Sequence, residues 1–330
     1  MDIDFLAIGD VTTDTFIRLE NASVHCDIDN EACTISLPWG AKIPYEFAID
    51  IAAVGNAPNA IISAARLGLK TALLSVTGTD SWGDLNVAVL KENGVNTDLV
   101  IRTPDTPSNH DYVLWYGPER TIIRKYSTFP YRIPTDMTPP GFVYLSSLGD
   151  ESAKLHGEVI AWLSKFPDTK FIFQPGRELA LPKEKSAPLY AAAYACICNK
   201  EEAEALLGLP AGTEMKMLLQ GMHALGPKVV AITNGPDGAY ASDGARVLKV
   251  PMYPDPKPPY ERTGAGDAFA STFAAALALG KTLEEALLWA PINAMAKVQK
   301  VGGHEGLLHR EELEAFLKNA PVEYKLTELT

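Results

Sequence analysis

The sequence predicts an α/β fold in which a mostly parallel, doubly wound sheet has helices on both faces and carries a small β lid. Two observations predict the core. Short apolar runs alternate with helical stretches of roughly 10–15 residues, the rhythm of βαβ units. Many of those runs are apolar throughout, as expected of strands buried on both faces. A third observation predicts the lid: Thr12–Ile51 and Thr97–Lys125 break the rhythm with alternating runs that read as antiparallel strands.

The first run, Ile3–Gly9, is apolar and ends in glycine, a buried strand entering a loop. Asn56–Leu67 follows a helical period and is stopped by Gly68. Thr71–Val76 is the next strand, and Ser81–Glu92 the next helix, stopped by Gly94. Strands follow at Phe142–Leu145, Lys170–Phe173, Ala195–Cys198 and Lys228–Thr233. Helices are expected over Glu151–Phe166, Lys200–Leu207, Glu214–Ala224 and Ala268–Leu279, with a capping box at Thr282–Glu285 opening another. In the lid, Cys33–Leu37 and Tyr45–Ile49 alternate, and Tyr112–Tyr116 and Thr121–Lys125 flank a Gly117-Pro118 turn. The proline-rich stretch Pro251–Pro259 reads as a stiff connector. Residues 1–11, 52–96 and 126–330 thus form the core, and 12–51 and 97–125 the lid, which lies where strand-to-helix insertions bind ligands.

Composition narrows the function. With 29 basic against 41 acidic residues, the net charge of −12 disfavours a nucleic-acid backbone as partner. The acidic start lacks the features of a signal peptide, and no uncharged stretch reaches the ~20 residues of a membrane span. The 4 cysteines, Cys26, Cys33, Cys196 and Cys198, form no zinc spacing, and a chain this long can build its core without disulfides. A cytoplasmic location is expected.

Several motifs could carry chemistry. Thr263-Gly264-Ala265-Gly266-Asp267 opens an apolar helix, so the small residues expose N–H groups at the positive end of the helix dipole and suit a phosphate. Asp267 would repel that anion unless it takes a proton from an attacking hydroxyl; a plain helix-start role is the competing explanation. Asn199 and Glu202 follow a strand and read as an N-cap pair, or as neighbours of a hydrated Mg²⁺ and nucleotide phosphates. Thr233, Gly235 and Gly238 form a turn that lets backbone approach a ligand or simply closes a hairpin. Asp14 stands on the loop leaving the first strand, and Gly55 and Asn59 stand at a helix start.

Their order resembles the ribokinase-like (PfkB) carbohydrate kinases. A loop carboxylate, a Gly/Asn helix start, N-x-x-E, T-x-G-x-x-G and G-A-G-D follow one another from about Ile3 to Gly306. Asn56–Asn59 with Ala65–Gly68 resembles that family's N-terminal signature, and Gly117–Thr121 its lid hairpin. The resemblance implies phosphoryl transfer from ATP, with Mg²⁺, to an alcohol, a neutral sugar first. It makes Asp267 the base and Gly264, Ala265 and Gly266 the anion hole. Asn199 and Glu202 would serve Mg²⁺ through water, while Thr233, Gly235, Gly238 and Asn293 would hold the nucleotide. Asp14, Gly55 and Asn59 would bind the acceptor.

A nucleoside kinase is the second reading within this chemistry, and a non-catalytic sugar or nucleotide sensor the reading from another class. Retention of Asp267 argues against a sensor. Departures from the family pattern include Val54, Gln174–Arg177, and Glu261-Arg262 in place of Asp-Thr. In related kinases that Asp helps bind a monovalent cation, so weak or absent K⁺ dependence is expected. A homodimer through the lid is expected as well.

Overall fold

The first apolar run becomes β1 (Phe5–Ile8), whose four side chains are all buried. Phe5 and Ala7 join one core while Leu6 and Ile8 join another, which is why the run shows no polar alternation. The computed structural model describes residues 3–26, 33–117, 119–148, 153–176, 179, 181–260 and 264–329.

From β1 the chain passes through β2 (Thr12–Leu19), β3 (Ser23–Cys26), β4 (Cys33–Ser36) and β5 (Tyr45–Val54). It continues as α1 (Asn56–Arg66), β6 (Thr71–Gly78), α2 (Ser81–Glu92), β7 (Val100–Thr103), β8 (Asn109–Tyr116) and β9 (Glu119–Lys125). Then come β10 (Phe142–Leu145), α3 (Ala153–Leu163), β11 (Lys170–Phe173), α4 (Lys183–Ala192), β12 (Ala195–Asn199) and α5 (Lys200–Leu207). The remainder is α6 (Met215–Ala224), β13 (Val229–Thr233), β14 (Ala239–Ser242), β15 (Val247–Val250), α7 (Ala265–Ala278), α8 (Leu283–Lys297), α9 (Arg310–Lys318) and β16 (Thr327–Leu329).

Among the described residues the large sheet has 10 strands in the order β16-β15-β14-β13-β12-β11-β10-β1-β6-β7. From β13 to β7 every pairing is parallel; β14, β15 and β16 add antiparallel strands at one end. Helices α1, α7, α8 and α9 cover one face through residues such as Ile61, Phe273, Trp289 and Leu313. The other face is covered by α3 to α6, through Val159, Leu189, Ala203 and Leu218. Strand β1 lies between β6 and β10, so the chain turns away from it in opposite directions. The crevice at the carboxyl ends of β1 and β10 is therefore the topological place for a ligand.

The lid sheet has the order β5-β2-β8-β9. Its hairpins are antiparallel, but β2 and β8 pair in parallel, where antiparallel strands were expected throughout. That parallel seam is what joins the two insertions. Strand β7, expected in the lid, pairs instead with β6 in the large sheet, and Val100 packs in the core with Leu90 and Val95. Strand β5 runs past the expected boundary at Ile51 to Val54.

Cys26 and Cys33 form a disulfide that closes the β3–β4 hairpin. Composition asks only whether the core needs such a bond. This hairpin lies outside the core, with every residue of β3 exposed. Cys196 and Cys198 are buried thiols in β12. Helix α4 was not read from the sequence, because Pro188 interrupts its pattern and the uncharged stretch runs on into β12. Among the described residues no helix is long and apolar enough to cross a membrane.

Candidate active site

Helix α7 begins at Ala265 rather than Ala268, so the glycine-rich turn belongs to the helix itself. Gly264 takes the N-cap position with left-handed backbone (φ 76°) and no capping side chain. The first intrahelical bond runs from Ala268 N–H to the Gly264 carbonyl. The N–H groups of Ala265, Gly266 and Asp267 thus have no acceptor within the helix and stand at its positive end.

Asp267 turns from that end toward α1 and the sheet. Its Oδ1 accepts hydrogen bonds from Asn56 Nδ2 (3.0 Å) and Gln174 Nε2 (3.1 Å), and its Oδ2 accepts one from Asn59 Nδ2 (3.2 Å). The Tyr144 hydroxyl donates to Gln174 Oε1, which fixes that amide with its N–H groups toward Asp267. Burial pushes the Asp267 carboxyl up; the Gln174 and Asn59 amides and the Lys297 ammonium pull it back, leaving it above the usual aspartate range. Burial, with the Asp267 charge adding, pushes the Tyr144 hydroxyl well up, so it remains a donor.

Two cavities lie near the residues around Asp267: Ala265 and Gly266 line one, and its hydrogen-bond partner Asn56 lines the other. One, of about 280 Å³, is lined by Thr233, Gly235 and Gly238, by Ala265 and Gly266, and by an apolar wall that includes Met252, Tyr253 and Met295. The other, of about 320 Å³, is lined by Asp10, Thr12, Gly55, Asn56, Arg124, Tyr126, Ser147 and Gly176. Ala265 and Gly266 face the first, while Asn56, bonded to Asp267, faces the second. A hydroxyl from one side and a phosphate from the other could reach Asp267 and the α7 N-terminus together.

The remaining expected residues divide. Gly55 lines the polar cavity. Asp14 does not, and Asn59 reaches Asp267 instead of the cavity. Asn293 is not in the apolar cavity either: it is fully buried, donates to Thr272 Oγ1 (2.8 Å) and accepts from Leu308 N–H (2.8 Å). The cavity is lined from α8 by Pro291, Ala294, Met295 and Val298, one helical stripe that Asn293 falls outside. Asn199 and Glu202 form a capping box, with Glu202 N–H donating to Asn199 Oδ1 (2.8 Å) and Asn199 N–H to Glu202 Oε2 (2.9 Å). Burial pushes the Glu202 carboxyl up, and the Asp267 charge adds to it, so the two carboxylates share one field. Among the described residues no group of three or more His, Cys, Asp or Glu could hold a metal. Asn199 and Glu202 offer an amide oxygen and a carboxylate, hard oxygen donors of the kind that meet Mg²⁺ through water.

Asp10, a second carboxylate on the loop expected to carry Asp14, accepts the Tyr131 hydroxyl; sequence reasoning missed Gln174 as a partner of Asp267. Gln174 directly follows β11, the neighbour of β10 at the sheet's switch point, and that position was the available signal. Pro118, Arg177, Glu261, Arg262 and Thr263 lie outside the described residues.

Residues 40–310 match the pfkB family carbohydrate kinases. The chain belongs to that family. Among curated relatives of this pfkB kinase, ribokinase of Bacillus subtilis is 28% identical over 272 residues, covering 80% of this chain and 87% of the relative. A 5-dehydro-2-deoxygluconokinase of Shouchella clausii is 26% identical, covering 82% and 87%. In fold, the kinase is similar to Arabidopsis thaliana ribokinase complexed with ribose and ATP, with TM-score 0.80, 22% identity and coverage of 96% and 99%. It is also similar to a Methanocaldococcus jannaschii nucleoside kinase, with TM-score 0.77, 17% identity and coverage of 96% and 99%. As a family member the chain is a phosphotransferase with an alcohol group as acceptor, built on the ribokinase-like α/β fold.

Proposed function

We propose that the chain transfers the γ-phosphoryl group of ATP to a hydroxyl of a small neutral sugar. The observation that carries this reading is that Asp267 sits in the first turn of a helix whose uncapped start, Ala265 and Gly266, lines an apolar cavity, while its partner Asn56 lines a polar one. The polar cavity takes the acceptor. Its Asp10 carboxylate suits sugar hydroxyls, and its Arg124 guanidinium is already countered by Asp111, with Nε 3.6 Å from Oδ2. A charge so engaged favours a neutral acceptor over a phosphosugar or a sugar acid.

The apolar cavity takes the nucleoside of ATP, with the Thr233–Gly238 turn at its rim. The acceptor hydroxyl gives its proton to Asp267 as its oxygen attacks the γ-phosphorus. The bond to the bridging β–γ oxygen breaks, and ADP leaves. The N–H groups at the start of α7 receive the charge that spreads over the phosphoryl oxygens, so the gain comes from positioning and preorganised dipoles. Mg²⁺, when bound, neutralises the ATP phosphates; Glu202 and Asn199 would hold it through water. Activity in the cytoplasm and a homodimer joined through the lid complete the proposal.

The test is a screen of ATP consumption against neutral sugars, nucleosides and phosphosugars, repeated with Asp267→Asn. Turnover with a neutral sugar, lost in the variant, is the expected result. Turnover with a nucleoside alone would move the acceptor assignment, and turnover that survives Asp267→Asn would overturn the mechanism.

A further inference from the structure

Lys297, the last residue of α8, has a side chain with no exposed surface. A buried ammonium is costly unless it meets negative charge or hydrogen-bond acceptors, so its place in the fold calls for a reason. Two glycines make room for it. A Cβ at Gly306 would lie 2.7 Å from Lys297 Cα, and one at Gly264 would lie 3.5 Å from Lys297 Cε. The aliphatic stem therefore runs against the turn that opens α7, and the ammonium comes close enough to Asp267 to act on its charge.

We propose that Lys297 is a positioning residue for phosphoryl transfer, holding a fixed positive charge behind the Gly264–Gly266 turn and against the Asp267 carboxylate. The inference rests on the kinase reading for its purpose but not for its physics. The charge does two things. It keeps Asp267 able to receive a proton as a carboxylate, against the burial that would neutralise it. It also adds to the helix dipole at the place where phosphate charge arrives. Other titratable groups share this field. Burial and the Asp267 charge raise Glu202 of α5, and Tyr144 of β10 stays neutral. The loop after α8 carries His304 and Glu305, which lie 3.6 Å apart and answer each other.

The experiment uses the full chain in four forms: wild type, Lys297→Met, Asp267→Asn, and the double variant. Methionine keeps the length of the lysine stem and removes the charge. The carboxyl carbon of Asp267, assigned by its absence in Asp267→Asn, is titrated by NMR, and thermal midpoint and turnover are followed against pH. In Lys297→Met the Asp267 carboxyl should titrate at higher pH than in wild type. The acid limb of turnover should move with it, and kcat at neutral pH should fall about 10²-fold, the scale for losing one preorganised stabilising group. KM for ATP should change less. The double variant should recover the thermal midpoint that Lys297→Met loses, because it no longer buries an uncompensated carboxylate.

An unchanged Asp267 titration in Lys297→Met overturns the inference, as does an unchanged acid limb. Should Lys297→Met fail to fold, a double variant that folds supports the charge pairing, and one that also fails shows Lys297 to be packing alone and overturns it. If the carboxyl titration shifts but wild type phosphorylates no acceptor, the pairing stands and the kinase reading falls.

Discussion

In the proposed mechanism the chemistry concentrates in one carboxylate, that of Asp267. Asp267→Asn keeps the size of the side chain and an oxygen for the Asn56 and Gln174 donors, so fold and nucleotide binding should survive. It cannot take a proton, and turnover should fall by at least ~10²-fold, the low end for removing a general base. Steady-state kinetics with a thermal midpoint separates the two effects. The same residue sets a pH dependence. The base must be ionised, and its folded pKa is raised by burial, so turnover is full above that pKa and falls as pH drops through it. The acid limb of kcat should therefore lie above the ~3.9 of an unperturbed aspartate. A limb at or below that value would mean that the hydrogen bonds and Lys297 outweigh burial.

At the scale of single elements, side chains that cap a helix are also proposed to serve the site. Asn199 closes the N-terminus of α5 through a reciprocal box with Glu202. Asn199→Ala should cost about 1 kcal/mol of stability as a lost cap. It should also raise the Mg²⁺ concentration needed for half-maximal turnover, since the amide oxygen proposed to reach Mg²⁺ through water is lost while the backbone N–H of residue 199 still donates to Glu202. Chemical denaturation and a Mg²⁺ titration of turnover check the two parts. A change in stability with no change in Mg²⁺ response would leave Asn199 a cap alone. The capping box was legible at four residues' spacing. The partners of Asp267 were not, because Asn56 and Asn59 on α1 and Gln174 after β11 lie far from Asp267 along the chain. The start of α8 was legible from its capping box, whereas Asn293 was expected near the nucleotide only by family resemblance, and the rotation of α8 buries it outside the apolar cavity.

For the whole molecule, the proposed dimer rests on the lid. Tyr112 and Ile123 are cross-strand partners on β8 and β9, and are 48% and 54% exposed. Strand side chains alternate, and Arg124 lines the acceptor cavity, so Ile123 and Tyr112 face outward. An outward apolar pair on a four-stranded sheet is a surface that a second lid can cover. Ile123→Asp should therefore shift a dimer toward monomer in light scattering at micromolar concentration. Wild-type protein that is already a monomer at that concentration, with full turnover, removes the proposed dimer.

Local physics determined what the sequence revealed by itself. Apolar runs and helical periods are written in neighbouring residues, so the α/β core, the helix stops at Gly68 and Gly94, and the glycine turn before α7 could be read directly. The order of motifs along the chain carried the family and with it the reaction class. Tertiary structure alone decided the contacts between residues far apart in sequence. It paired β2 with β8 in parallel, drew β7 into the large sheet, and brought Asn56, Gln174 and Lys297 to one carboxylate. Such contacts depend on how strands register and helices rotate against each other, and a one-residue shift in either moves a side chain from a cavity into the core.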